Sequence, residues 1–146
     1  MSTAWAAKYI GVPYLPGGGT MQGADCWGLV KLVLEAECGI RVADYGGIRY
    51  RTPADRRQVA LEAREYATGF DRVPMGQERA FDGVLLREAG LPIHVGVVVE
   101  RGLILHVSSR TDAVIEPYPS MLFNGTDRIL GFYRPQGEQV GVAART

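Results

Sequence analysis

Neither sign of charge is in excess along this chain: 16 basic residues stand against 16 acidic ones. That balance removes the overall electrostatic pull that would draw a protein to nucleic acid or to an acidic membrane surface, so any partner has to be argued from a local site. Long apolar runs are missing as well. None approaches the roughly 18 residues that a membrane-spanning helix needs, so no membrane insertion is expected. The stretch from Met1 to Gly11 has neither the charged start nor the long apolar centre of a secretory signal, and the chain is expected to be made, and to stay, in the cytoplasm unless something else carries it out. Cysteine is scarce: Cys26 and Cys38 are the only two, too few for a disulfide framework. If both sit on one helix, their Cα atoms are about 18 Å apart at 1.5 Å per residue, beyond the ~7 Å that a bridge tolerates. Two free thiols are expected.

What remains is an ordinary globular composition, 47% apolar over 146 residues, which suits one domain with a real core. Its most informative stretch is Asp25-Cys26-Trp27-Gly28-Leu29-Val30. From Cys26 to Cys38 only Gly28, Lys31, Glu35 and Glu37 break an apolar run, and Gly39 follows where a helix C-terminus favours glycine. At about 100° per residue, Gly28, Lys31 and Glu35 form one polar stripe, and Cys26 points the other way with Leu29, Val30 and Val33. Asp25 suits the N-cap, which places the thiol among the unpaired N–H groups at the positive end of the helix and favours thiolate. A lone cysteine of this kind is more often a small packed hydrophobe than a nucleophile, so Cys26 needs partners before it means anything.

Upstream, Ser2 or Thr3 can cap a short helix from Ala4 to Ile10, stopped by Gly11 and Pro13, with Trp5 and Tyr9 on one face. The glycine-rich segment from Tyr14 to Gly19 reads as a loop that approaches a neighbour closely, and it does not fit the nucleotide-binding glycine patterns. A second amphipathic helix is expected from Pro53 to Ala67, with a solvated charged face. From Phe81 the period becomes strand-like: Phe81 to Arg87, Ile93 to Val99, Leu103 to Val107, Ala113 to Glu116 and Arg128 to Arg134. The expected fold class is therefore α+β, with N-terminal helices packed on a C-terminal antiparallel sheet over residues 1–135, and a polar tail over residues 136–146.

The two histidines, His94 and His106, both fall in strands. A three-residue turn, Glu100-Arg101-Gly102, would pair Val99 with Leu103 and hence Gly96 with His106, bringing His106 diagonal to His94 on one face. Their Cβ atoms would then be less than about 7 to 8 Å apart, within reach for imidazoles. Each histidine alone is more often a core residue. Together with Cys26 they supply nucleophile, base and orienting group, the parts of covalent acyl transfer. Zinc held by Cys26, Cys38, His94 and His106 is the rival set, and it lacks any close ligand pair.

Asp-Cys-Trp-Gly-Leu-Val, followed by His-Val-Gly-Val-Val-Val, Leu-His and a closing Gly-Phe-Tyr-Arg, resembles the NlpC-type papain-like cysteine peptidases, which cut peptide bonds in bacterial peptidoglycan. The likeness runs from about Trp5 to Arg134 and is nearest to the short branch encoded among phage tail and gene transfer agent genes. The resemblance implies a minimal papain-like fold, Cys26 as nucleophile, His94 as base, His106 as the orienting third residue, and Tyr14, Asp25 and Trp27 near substrate or oxyanion. It implies no cofactor and no metal. It also implies a peptidoglycan peptide as substrate, cut between D-glutamate and the diamino acid, and tail-tip or baseplate proteins of a phage-like particle as partners that deliver the enzyme to the periplasm or cell wall. A non-catalytic tail-tip component with the same fold is the alternative. Two features depart from the family pattern: Trp27 stands where serine is common, and Gly-Asp before the first central strand reads here as Asp82-Gly83.

Overall fold

A computed structural model describes residues 3–42, 70–88, 91–118 and 129–136. The helix expected from Pro53 to Ala67 and the tail beyond Gln136 lie outside them. The described chain is α+β as expected: two N-terminal helices, α1 (Ala4–Ala7) and α2 (Cys26–Cys38), precede most of the strands. Between the helices a small hairpin forms from β1 (Gly19–Thr20) and β2 (Gly23–Ala24). The remaining strands are β3 (Phe70–Val73), β4 (Gly83–Glu88), β5 (Leu91–Glu100), β6 (Leu103–Ser108), β7 (Thr111–Pro117) and β8 (Ile129–Pro135). They make one antiparallel sheet in the order β3-β8-β4-β5-β6-β7.

Helix α2 begins and ends where its sequence directs. Asp25 is extended and its carboxylate accepts the N–H of Gly28, while Gly39 closes the helix in the left-handed conformation at φ 70°. Leu29, Val30, Val33 and Leu34 are buried and pack with Val97, Val99, Leu105 and Val107 of β5 and β6, together with Ala6, Tyr9 and Val12. A second apolar cluster, built from Val73, Val84, Leu86, Val98, Ile104, Tyr118, Ile129 and Phe132, occupies the other face of the sheet. Alternation along β5 and β6 divides consecutive residues between these two clusters, so both faces of these strands are apolar.

Four expectations need correction. Helix α1 ends at Ala7 rather than Ile10, and the chain goes on in tighter turns with bonds from Tyr9 N to Ala6 O and from Ile10 N to Ala7 O. Thr3 makes no side-chain cap there. Gly28 is not on a polar stripe: it is buried against the loop, where a Cβ would sit 1.8 Å from the carbonyl oxygen of Gly18. The missing side chain lets the glycine-rich loop lie directly on α2. Finally, the β5–β6 turn is shorter than expected, since Glu100 pairs with Leu103 and a bulge between Val98 and Glu100 absorbs the odd residue.

Candidate active site

Asp25, Cys26 and Trp27 stand together at the start of α2, and the loop before them is tied down tightly. Leu15 N donates to Ala24 O at 3.0 Å, Ala24 N to Pro13 O at 2.9 Å, and Tyr14 bridges Ala24. Tyr14 is thereby held beside the residues that lead into the helix. Asp25 is buried, and its two carboxylate oxygens serve the backbone, one accepting Gly28 N at 2.7 Å and the other Gly17 N at 2.8 Å. Burial pushes its carboxyl above the usual range, and these two hydrogen bonds pull the other way without overcoming it. Asp25 thus joins the Gly17 loop to the helix end. Trp27 is half-buried, its ring 6.3 Å from that of Phe70.

Cys26 is the first residue of α2 and partly exposed, and Cys38 is the last; neither is in a disulfide, as the helical spacing requires. One helix therefore separates the two sulfurs, which leaves the four residues weighed as zinc ligands without a common centre. Among the described residues no cluster of His, Cys, Asp and Glu is arranged to hold a metal ion.

The sheet brings the two histidines together. Val97 pairs with Leu105 and Val98 with Ile104, and the same register places Gly96 opposite His106. Despite the different turn, the alignment expected from the sequence holds, because the bulge adds the residue that the shorter turn omits. Leu86 pairs with His94, so the histidines share the face of Leu86, Val98 and Ile104. They are almost fully buried, at 2% and 5% exposure, with rings 5.1 Å apart. His94 Nε2 lies 2.8 Å from His106 Nδ1. The other nitrogen of His106, Nε2, lies 2.6 Å from Oε1 of Glu116 on β7.

The sequence pattern predicts the strand that carries Glu116 but does not single out the residue. The signal available is one carboxylate in an otherwise apolar run, Val114-Ile115-Glu116. Using it requires knowing that β7 pairs with β6 such that Glu116 faces Ile104 and is diagonal to His106.

Asp82 has a structural role. It is fully buried just before β4, accepts Arg134 Nε at 2.7 Å and Nη2 at 2.8 Å, and also accepts Arg79 N at 2.9 Å. The Asp82 carboxylate holds the Arg134 guanidinium above its ordinary pKa. This pair explains both the acid before β4 and the arginine of the closing Gly-Phe-Tyr-Arg run. Phe81, immediately before Asp82, adopts a left-handed φ of 74°, a conformation that suits glycine better, and its ring lies 4.4 Å from that of Trp5.

Several solved structures share this fold. The NlpC/P60 domain of the peptidoglycan hydrolase SagA is 20% identical, with 90% of this chain and 92% of that one covered at a TM-score of 0.61. The P60 domain of an antigen from M. avium subspecies paratuberculosis is 17% identical, with 92% of each chain covered and a TM-score of 0.60. The peptidoglycan hydrolase RipB from Mycobacterium tuberculosis is 20% identical over 88% of this chain and 59% of its own, at a TM-score of 0.58. No curated protein sequence matches the chain. The NlpC/P60 family model matches it from residue 11 to residue 126, a span that takes in Tyr14, the start of α2, both histidines and Glu116, and the chain belongs to that family.

Proposed function

We propose that this protein is a cysteine endopeptidase that cuts stem peptides of bacterial peptidoglycan, at the bond between D-glutamate and the diamino acid, through a thioester on Cys26. The observation that carries the reading is the buried contact of His94 with His106, brought together by strand register in a chain of the NlpC/P60 family. In this reading the Cys26 thiol gives its proton to His94, and the thiolate attacks the scissile carbonyl. The Cys26 N–H at the helix start, aided by the Tyr14 hydroxyl, stabilises the oxyanion. His94 then protonates the leaving amine, and water, deprotonated by His94, hydrolyses the thioester. Asp25 contributes by holding the Gly17 loop and the helix end in place, and Trp27 shapes the substrate side of the nucleophile.

The resemblance to the tail-gene branch supports a place in a phage-like particle, docked on tail-tip or baseplate proteins and acting on the wall from outside the cytoplasm. Incubating the purified protein with peptidoglycan and identifying the products by mass spectrometry tests the activity. Fragments ending in D-glutamate, paired with fragments bearing a new diamino-acid amine, are expected. An unchanged wall with the wild type, or equal release by Cys26→Ala, would overturn the reading. Mass spectrometry of purified particles tests the delivery, which is wrong if the protein is absent from them.

A further inference from the structure

We propose that Glu116 is a positioning residue that sets the direction of the whole hydrogen-bond chain and with it the tautomer of His94, an inference resting on the reading of Cys26 and His94 as nucleophile and base. A bond between two neutral imidazoles has no inherent direction. His94 Nε2 and His106 Nδ1, 2.8 Å apart, need one proton between them, and either ring can supply it. The two arrangements differ at the far end. If His94 donates from Nε2, its Nδ1 carries a lone pair and can take a proton from a thiol. If His106 donates from Nδ1, His94 holds its own proton on Nδ1 and cannot act as a base from that atom.

The Glu116 carboxylate removes this ambiguity. An ionised carboxylate only accepts, so at 2.6 Å the proton must sit on His106 Nε2. In neutral His106 that leaves Nδ1 as an acceptor, which draws the proton of His94 Nε2 towards it and leaves Nδ1 of His94 unprotonated. When the thiol ionises, one S–H bond breaks and one N–H bond forms on His94. The new positive charge lies at the end of a chain whose other end carries the Glu116 negative charge. His106 is buried and the Glu116 side chain is 29% exposed, so the carboxylate reaches the ring from a position open to solvent. The pair straddles neighbouring strands, and the register that places Ile104 opposite Glu116 and His106 opposite Val114 fixes their diagonal reach.

The chain has only two histidines, so its imidazole nitrogens can be followed individually by 15N NMR on histidine-labelled protein, in which the two neutral tautomers differ clearly. In the wild type both neutral rings should carry their proton on Nε2. Glu116→Gln keeps the shape but can donate as well as accept, so an Nδ1-protonated population should appear on His106 and on His94. In the same variant kcat on peptidoglycan should fall about 100-fold with KM unchanged, at unaltered thermal stability, and Glu116→Asp should recover part of kcat because the charge returns on a shorter arm. Wild-type protein with His94 protonated on Nδ1, or Glu116→Gln with unchanged tautomers and unchanged kcat, would overturn the proposal. The tautomer measurement needs no hydrolysis, so it succeeds or fails independently of the peptidase reading, which fails on activity retained by Cys26→Ala.

Discussion

Gly96 lies so close to His106 that a Cβ placed on it would stand 3.1 Å from the Cβ of His106 and 3.0 Å from the carbonyl oxygen of Leu105. The carbonyl belongs to the sheet ladder and cannot retreat, so the histidine must give way. Gly96→Ala is expected to lengthen the bond between His94 and His106, lowering kcat about tenfold or more while costing roughly 1 kcal/mol of stability as overpacking. Steady-state kinetics beside thermal melts check this. Wild-type kcat in Gly96→Ala would show that the histidine pair tolerates displacement.

The two thiols offer a comparison within one helix. Both are partly exposed, so access alone does not separate them. Cys26 sits at the positive end of α2 and Cys38 at the negative end, which favours thiolate at the first and thiol at the second. Iodoacetamide at neutral pH should label Cys26 much faster than Cys38, and Cys38→Ser should keep its activity. Peptide mapping after timed alkylation reads the ratio; equal rates would count against Cys26 as nucleophile.

Arg134→Ala should destabilise the fold by about 3 kcal/mol, because it strands the Asp82 carboxylate in the interior with a single backbone donor left. The arginine side chain is 32% exposed, so water partly replaces it and the loss stays near the low end for a buried pair. Adding Asp82→Asn to this variant should restore part of the loss by removing the buried charge. Urea denaturation of the single and double variants measures both, and a double variant no more stable than the single would contradict the ion-pair account.

Glu78 should make the fold acid-sensitive. It is buried, and burial alone would raise its pKa, but the Tyr118 hydroxyl, backbone N–H groups including that of Gly76, and the charge of Arg101 outweigh burial and hold it below its ordinary value of 4.5. A carboxyl depressed by folding contributes stability that is fully present above the unfolded pKa and is lost as pH falls through the folded one. Below pH 4.5 the wild type should therefore lose stability more steeply than Glu78→Gln, although the variant is the less stable of the two at neutral pH. Denaturation midpoints between pH 7 and pH 3 test the slope; parallel curves would rule out Glu78 as a source.

Much of the site is legible in the sequence because its signals are local. A capping aspartate, an apolar helical run and a closing glycine lie within fifteen consecutive residues, so Asp25, Cys26 and the length of α2 follow from backbone hydrogen bonding alone. The facing of His94 and His106 follows from strand alternation and one tight turn, and it holds although the turn is shorter than expected. Even there the bulge is not readable, since whether an odd residue enters the loop or the strand depends on which side chains the core accepts. Val97 and Val99 are both buried in the cluster under α2, at the bulged end of the strand.

Tertiary structure decided the partners that the sequence does not single out. Glu116 reaches His106 only through the pairing of β6 with β7, and Arg134 reaches Asp82 only because β8 inserts between β3 and β4, against chain order. Short apolar strands carry little information about which neighbour they choose. That choice is set by how both faces of the whole sheet bury their side chains together, and local sequence does not encode it.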